Sequence, residues 1–277
     1  VTATYNSYDF EVGVSQTNLD AKLFSGIEDY GLKTDFTWFP SPDQTVDFGF
    51  DYTYHRFTPS SVSGGTSDSG SQFSTDQVGD KFAHEGAIYV QDEIDFSPKL
   101  RVNFEDGQLQ KAYDKGEPVE FYGRFEPRIR ARYKLSATSS VKASFMRTNQ
   151  YVHRVSNSGS TLPNDVWVPS TRNVKPESAI QGSAGYFRNF NNNMYETSLE
   201  LYYRKMDNII EYDNGYTPEI GRQLERDFVY GEGESFGAEM YVKKRKGNLT
   251  GWVSYTLSKT TRFFDDLRTS LLWGATA

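Results

Sequence analysis

Val46-Asp47-Phe48-Gly49-Phe50-Asp51-Tyr52-Thr53-Tyr54-His55 sets Val, Phe, Phe, Tyr and Tyr on one side of an extended chain and Asp, Gly, Asp, Thr and His on the other. Successive side chains of a β-strand point to opposite faces, so this stretch meets an apolar medium on one face and water on the other. The pattern returns. Ile129, Ala131, Tyr133 and Leu135 alternate with Arg128, Arg130, Arg132 and Lys134, and Leu249, Gly251, Val253, Tyr255 and Leu257 alternate with Thr250, Trp252, Ser254, Thr256 and Ser258. The polar face is too hydrophilic to fill a closed core. A water-soluble antiparallel sandwich and a membrane barrel with its apolar face turned to lipid both alternate in this way, and connection lengths separate them.

Period two places about eleven or twelve strands, near residues 1–13, 26–39, 44–57, 83–97, 99–112, 119–134, 140–155, 177–190, 194–212, 227–245, 248–264 and 266–275. Short connections built on Pro, Gly, Asn or Ser lie at Pro40-Ser41-Pro42-Asp43, Ser97-Pro98, Leu135-Ser136-Ala137-Thr138-Ser139, Asn191-Asn192-Asn193 and Lys246-Gly247-Asn248. Between them run long polar segments at 58–82, 106–118, 156–176 and 213–226. Short turns alternating with long loops are the pattern of an outer-membrane barrel, turns on the periplasmic side and loops outside. About ten residues rising roughly 3.3 Å each at a tilt near 45° cover its apolar band of about 25 Å. The expected architecture is an all-β, antiparallel transmembrane barrel spanning residues 1–277. Its 58–82 segment forms a long Gly/Ser-rich extracellular loop.

Composition agrees. The 277 residues are 16% aromatic but only 36% hydrophobic, and the mean hydropathy is −0.67. Many rings with few aliphatic side chains suit aromatic girdles around a polar interior. No stretch reaches the roughly 18 to 20 apolar residues of a spanning helix. The absence of cysteine removes disulfides, thiol chemistry and cysteine-ligated metal. A net charge of −7 argues against nucleic acid as a partner, because phosphate binding needs a basic surface. The chain opens at Val1 directly on strand-like sequence, so either a leader has been removed or the chain is a piece of something longer.

Signals for chemistry are weak. His55, His84 and His153 are scattered and show no metal-ligand spacing, so no metal or cofactor is expected. Carboxylates abound, among them Glu232 and Glu234, Asp92, Glu93 and Asp95, but a catalytic pair needs proximity that sequence does not supply. The expectation is a protein that is not an enzyme. Gly231–Gly237 leads into a strand rather than a helix and reads as a turn re-entering the sheet, not a phosphate loop. Arg128, Arg130, Arg132 and Lys134 share one face. On lipid each would cost a few kcal/mol near the midplane, so they are expected to line the lumen. There they either attract an anionic solute or pair with an inserted domain, or form a solvated ladder balanced by inward Asp47, Asp51, Glu200 and Glu239. Trp38, Phe39, Phe96, Phe187 and Phe190 flank the short turns and are expected to form an interfacial girdle.

Several segments together resemble one family. They are Phe36-Thr37-Trp38-Phe39-Pro40 with Val46-Asp47-Phe48-Gly49-Phe50, Glu85-Gly86-Ala87-Ile88-Tyr89-Val90-Gln91-Asp92-Glu93, Glu126-Pro127-Arg128-Ile129-Arg130-Ala131-Arg132-Tyr133-Lys134-Leu135, Leu162-Pro163-Asn164-Asp165-Val166-Trp167-Val168-Pro169-Ser170, Tyr202-Tyr203-Arg204-Lys205-Met206-Asp207-Asn208-Ile209-Ile210 and Gly251-Trp252-Val253-Ser254-Tyr255-Thr256-Leu257-Ser258. In this order they are similar to the barrel of TonB-dependent outer-membrane receptors, most closely the branch of Bacteroidetes-type bacteria. Phe104–Gln110 departs from that pattern and leaves the register of strand 99–112 open. The resemblance implies a barrel of about 22 strands plugged by an N-terminal domain, of which this chain would be a middle portion of eleven or twelve. It implies import of a scarce or bulky nutrient (a metal chelate, oligosaccharide or peptide) with energy passed through TonB to the missing plug. The partners that follow are outer-membrane lipid, the TonB complex, the nutrient itself and a surface lipoprotein over the loops. It also places Leu162–Ser170 at the outer entrance, where Trp167, Asn164, Asp165, Tyr151 and His153 offer ring and amide groups to a polar solute. A passive porin and a soluble β-sandwich adhesin or glycan-binding module are the alternatives. A sandwich would seal Phe48, Tyr133 and Val253 between two sheets.

Overall fold

Neighbouring alternating segments pair edge to edge in a computed structural model that describes residues 1–16, 19–65, 72–74, 80–106, 108–114, 117–155, 166–212, 228–264 and 271–273. The strands in chain order are β1 (Thr2–Gln16), β2 (Leu19–Ser41), β3 (Gln44–Gly65), β4 (Gln72–Ser74), β5 (Lys81–Asp95), β6 (Leu100–Asp106), β7 (Gln108–Asp114), β8 (Glu117–Arg124), β9 (Arg128–Lys134), β10 (Ser139–Gln150), β11 (Val152–Val155), β12 (Val166–Pro169), β13 (Glu177–Phe190), β14 (Tyr195–Tyr212), β15 (Phe228–Lys244), β16 (Gly251–Phe264) and β17 (Leu271–Trp273). One antiparallel sheet takes the order β1-β2-β3-β5-β6-β9-β10-β13-β14-β15-β16-β17, and β11 with β12 forms a separate two-stranded ribbon. Each main strand lies beside the next along the chain, as hairpin connections require.

Register sorts the side chains by face. Across β16, β15, β14 and β13 the register aligns Tyr255 with Met240, Met240 with Leu199, and Leu199 with Tyr186. One residue along, it aligns Thr256 with Glu239, Glu239 with Glu200, and Glu200 with Gly185. Farther round, Phe36 opposes Phe48 and their rings stack at 5.4 Å, while Asp35 and Gly49 occupy the other face. No second layer covers the apolar face among the described residues. Phe48 is 41%, Tyr133 47% and Val253 72% exposed, which excludes the sandwich.

The short turns come from the residues the sequence marks. Asn191, Asn192 and Asn193 all hold positive φ, a region that asparagine tolerates better than most residues. Met194 N–H closes the turn on the Asn191 carbonyl at 3.0 Å. Gly49 and Gly237 serve a different need, because an aromatic side chain from the neighbouring strand lies across each. A Cβ at Gly49 would strike the Tyr89 ring at 2.6 Å, and one at Gly237 the Tyr202 ring at 2.8 Å.

The expected long loops are partly sheet. Within 106–118 lie β7 and the start of β8, which pair with each other, while β7 also pairs with β5 and β6 pairs with β9. β3 runs on to Gly65, paired with β2 and with β4, into the segment expected as the Gly/Ser loop. Backbone pairing persists there because Ser, Thr and Val in a hairpin still complete each other's hydrogen bonds beyond the apolar band. Trp38, Phe39, Phe96 and Phe190 are exposed beside the turns as a girdle requires. Phe187 is not among them: it shares the polar face with Ser140 and Ser198, and the Lys142 ammonium sits 3.9 Å from its ring centroid. Two-residue periodicity overrides nearness to the turn.

A cation placed near the middle of the apolar face tests this assignment. Leu201→Arg should cost about 2–4 kcal/mol of folding stability in lipid vesicles, whereas Thr256→Arg, on the polar face opposite Glu239, should change it by less than about 0.5 kcal/mol. Equilibrium unfolding of the full-length receptor in bilayers measures both.

Candidate functional site

Leaving the sheet after Gln150, the chain forms the β11–β12 ribbon, runs through residues 170–176 and re-enters the sheet at Glu177. β12 rests against β2, β3 and β5, and β11 against β14, so this strap bridges two distant parts of one sheet. Beneath it on the polar face Phe57, Ala83 and His55 are buried. Val155, Val168 and Val174 of the strap form a small core with Tyr212 and Phe228, the latter two edge to face at 5.3 Å.

Polar contacts fix the strap's path. Ser170 N–H donates to the Tyr151 carbonyl at 2.7 Å, closing the base of the ribbon. The Thr171 hydroxyl accepts from the N–H groups of Asn173 and Val174, a turn in which a side chain replaces a backbone acceptor. Tyr122 and Tyr230 donate their hydroxyls to the carbonyls of Thr171 and Asn173, and Asn208 donates to the Pro176 carbonyl at 3.2 Å. Asn208 has φ 58° at a bulge in β14, which turns its amide to the strap.

The sequence-derived candidates separate here. His153, 2% exposed, places Nε2 2.9 Å from the Ser170 hydroxyl, and burial pushes its pKa down to about 4, so it is neutral near pH 7. Tyr151 is 1% exposed and burial raises its phenol pKa, keeping it protonated. Trp167 is partly exposed, with the Arg154 guanidinium 5.9 Å from its ring centroid. Asn164 and Asp165 lie outside the described residues.

Arg128, Arg130, Arg132 and Lys134 share the polar face, by register with Met146, Ser144, Lys142 and Ser140. Arg128 bonds Glu105 at 2.8 Å and approaches Glu126 at 3.7 Å. Arg132 has Arg101 on one side and Lys142 on the other, and a cleft of about 400 Å³ lined by Asp95, Arg101, Arg132 and Lys134 opens beside the turns.

Two groupings need the register and are invisible to sequence spacing. His55 bridges neighbouring strands, with Nδ1 2.7 Å from an Asp29 carboxylate oxygen and Nε2 3.5 Å from one of Glu85. Glu126, nearly buried, accepts from both the backbone N–H and the side-chain amide of Asn149, at 2.7 and 2.9 Å. A second cleft of about 330 Å³ lies between the end of β10 and the start of β13, with Tyr151, Glu177 and Arg204 among its walls. Among the described residues no group of three or more His, Cys, Asp or Glu is placed to hold a metal ion.

Comparison with known proteins gives the family. The model described as TonB dependent receptor-like, beta-barrel, matches residues 1–274. No curated protein matches the chain. Among solved structures, the copper transporter OprC superposes with a TM-score of 0.65 at 14% identity, over 96% of this chain and 43% of its own. The FrpB iron transporter from Neisseria meningitidis (F5-1 variant) in its apoprotein form gives 0.62 at 12%, over 97% and 46%. The pyoverdine outer membrane receptor FpvA from Pseudomonas aeruginosa PAO1, bound to pyoverdine, gives 0.58 at 14%, over 94% and 41%. The chain therefore spans less than half the length of each.

The buried histidine gives the strap a pH dependence. Folded His153 takes up a proton only near pH 4, the unfolded segment near 6.5, so its contribution is complete above pH 6.5 and is lost as pH falls toward 4. The shift corresponds to about 3 kcal/mol. Hydrogen exchange of residues 152–155 and 166–169 should lose protection over that window, and His153→Gln should remove the dependence.

Proposed function

The chain belongs to the TonB dependent receptor-like β-barrel family of the bacterial outer membrane, and from that premise we propose that it forms part of the wall of an energised importer. The single observation that carries the reading is one sheet with two media. Among the described residues nothing covers its apolar face, and its polar face carries charges and a strap folded across it.

On this reading the polar face lines the lumen and the strap narrows it. The match to the receptor family, rather than the strap itself, favours energised import over a porin. The solute is scarce or bulky: a metal chelate, an oligosaccharide or a peptide. Trp167 is the proposed solute contact of the strap, with the buried Tyr151 and His153 as its support, and Asn164 and Asp165 are proposed as further solute contacts. Arg130, Arg132 and Lys134 draw anionic groups, whether on the solute or on an inserted plug, and the plug passes TonB's energy to the barrel. A surface lipoprotein above the loops is a further candidate partner. The chemistry is binding and translocation, with no catalytic step.

Uptake measured in a host with and without a working TonB system tests this. With the full-length receptor as sole route, entry of labelled ferric siderophore, maltooligosaccharide or peptide should fall at least tenfold when TonB is removed. Uptake unchanged by that removal, together with leakage of small sugars from liposomes holding the purified protein, would establish a passive pore instead.

A further inference from the structure

The cleft of about 330 Å³ between β10 and β13 holds charged groups that are near one another but joined by no close ion pair. Glu177 and Arg204 both line it, yet neither forms a hydrogen bond or ion pair with the other or with any other side chain. Arg204 Nε, the Tyr151 hydroxyl and Asn149 Oδ1 are all buried without a hydrogen-bond partner. Buried polar atoms are almost always paired, so three unpaired ones around a single cleft call for an occupant. Tyr151 is the most telling: it is 1% exposed, and its backbone carbonyl is already used to close the ribbon, which holds the ring in place. Glu85, held by His55 on its other side, brings a second carboxylate to the same wall.

We propose that this cleft binds a compact zwitterion of amino-acid or short-peptide type. Its ammonium group meets the carboxylates of Glu177 and Glu85, and its carboxylate meets the Arg204 guanidinium and accepts the Tyr151 hydroxyl proton. The pairing follows from charge. A neutral sugar would satisfy the hydroxyl and the amide but leave the carboxylate and the guanidinium without a direct charge-assisted hydrogen bond, whereas one small zwitterion supplies one to each. A guanidinium presents a planar fork matched to a carboxylate, and an ammonium's three N–H donors can be shared between two acids. The cleft's volume lies at the lower end of the range for small-molecule sites. The inference names the solute class of the import reading and rests on that reading for the solute's route, but binding is measurable without transport.

Calorimetry of the purified full-length receptor in detergent, titrated with alanyl-alanine, its N-acetyl form, its C-terminal amide and maltose, tests it. Alanyl-alanine should bind, and capping either end should weaken binding at least tenfold. Arg204→Gln and Glu177→Gln should each do the same. Tyr151→Phe, which keeps the ring and removes only the unpaired hydroxyl, should weaken binding several-fold with no loss of thermal stability. Equal binding of the capped forms, preference for maltose, or no binding of any probe by the wild-type protein would overturn the proposal, the last leaving ordered water as the occupant. TonB-dependent uptake that persists without dipeptide binding would remove this inference and spare the import reading. Dipeptide binding without TonB dependence would do the reverse.

Discussion

Hydrocarbon offers a backbone no hydrogen bonds, and every other feature of this chain follows from meeting that constraint. A strand that faces lipid must find its partners in its neighbours, and only a sheet that keeps adding neighbours can do so for many strands in succession. The order from β1 to β17, each main strand beside the next, is the simplest solution. Its consequence is a wall one residue thick, with no hydrophobic core in the usual sense. Met240, Leu199 and Tyr186 in their cross-strand row do what core residues do elsewhere, but their solvent is the acyl chain.

A wall of this kind frees its other face to be polar, and that freedom positions the strap. With no sheet-wide apolar core on the polar face, the 151–176 segment makes its own, using Val155, Val168 and Val174 against Tyr212 and Phe228. Hydrogen bonds to the strap's backbone carbonyls at 171, 173 and 176 come from three separate strands of the sheet. Burial disfavours a charge on His153 beside the Ser170 hydroxyl, so the folded ribbon and the neutral imidazole support each other. The bulge at Asn208 links the two levels, since a local break in one spanning strand supplies the donor that holds the strap's exit.

Much of the sheet was legible in the sequence, because a period of two is imposed by the backbone itself and needs no knowledge of neighbours. Val46–Tyr54, Ile129–Tyr133 and Val253–Leu257 declare their faces unaided, as do the turns at Pro42 and Asn191–Asn193. Phe187 shows the same rule correcting a weaker one, since proximity to a turn suggested the girdle but parity puts the ring on the polar face. What stayed hidden depends on register or on long-range packing. In β7, Lys111 interrupts the face that carries Leu109 and Tyr113, and Ala112 interrupts the polar one, so too little alternation is left to betray the strand. The strap reads as a loop because its apolar residues, Val155, Val168 and Val174, are too few and too dispersed for a periodic signal. The grouping of Tyr151 with Glu177 and Arg204 requires β10, β13 and β14 to be in register, which no local pattern specifies.

Charge is unevenly distributed along one row of the polar face. In register, Arg101, Arg132 and Lys142 stand side by side on β6, β9 and β10. Gly185 follows on β13, then Glu200 and Glu239 on β14 and β15. Like charges directly opposite each other weaken a sheet, and this row contains three such juxtapositions. Arg132, Lys142 and Glu239 are exposed, so water screens much of the repulsion, which a dry interior would not do. Arg101 is also paired with Glu93 and Asp95 at 2.7 Å each, and the exposed remainder of the row suits a wet space on this side of the wall. The separation of its cationic and anionic halves by a residue without a side chain also gives that space a sideways polarity. A body carrying both signs set against this row would meet opposite charges at its two ends, whereas a neutral one would meet no such preference.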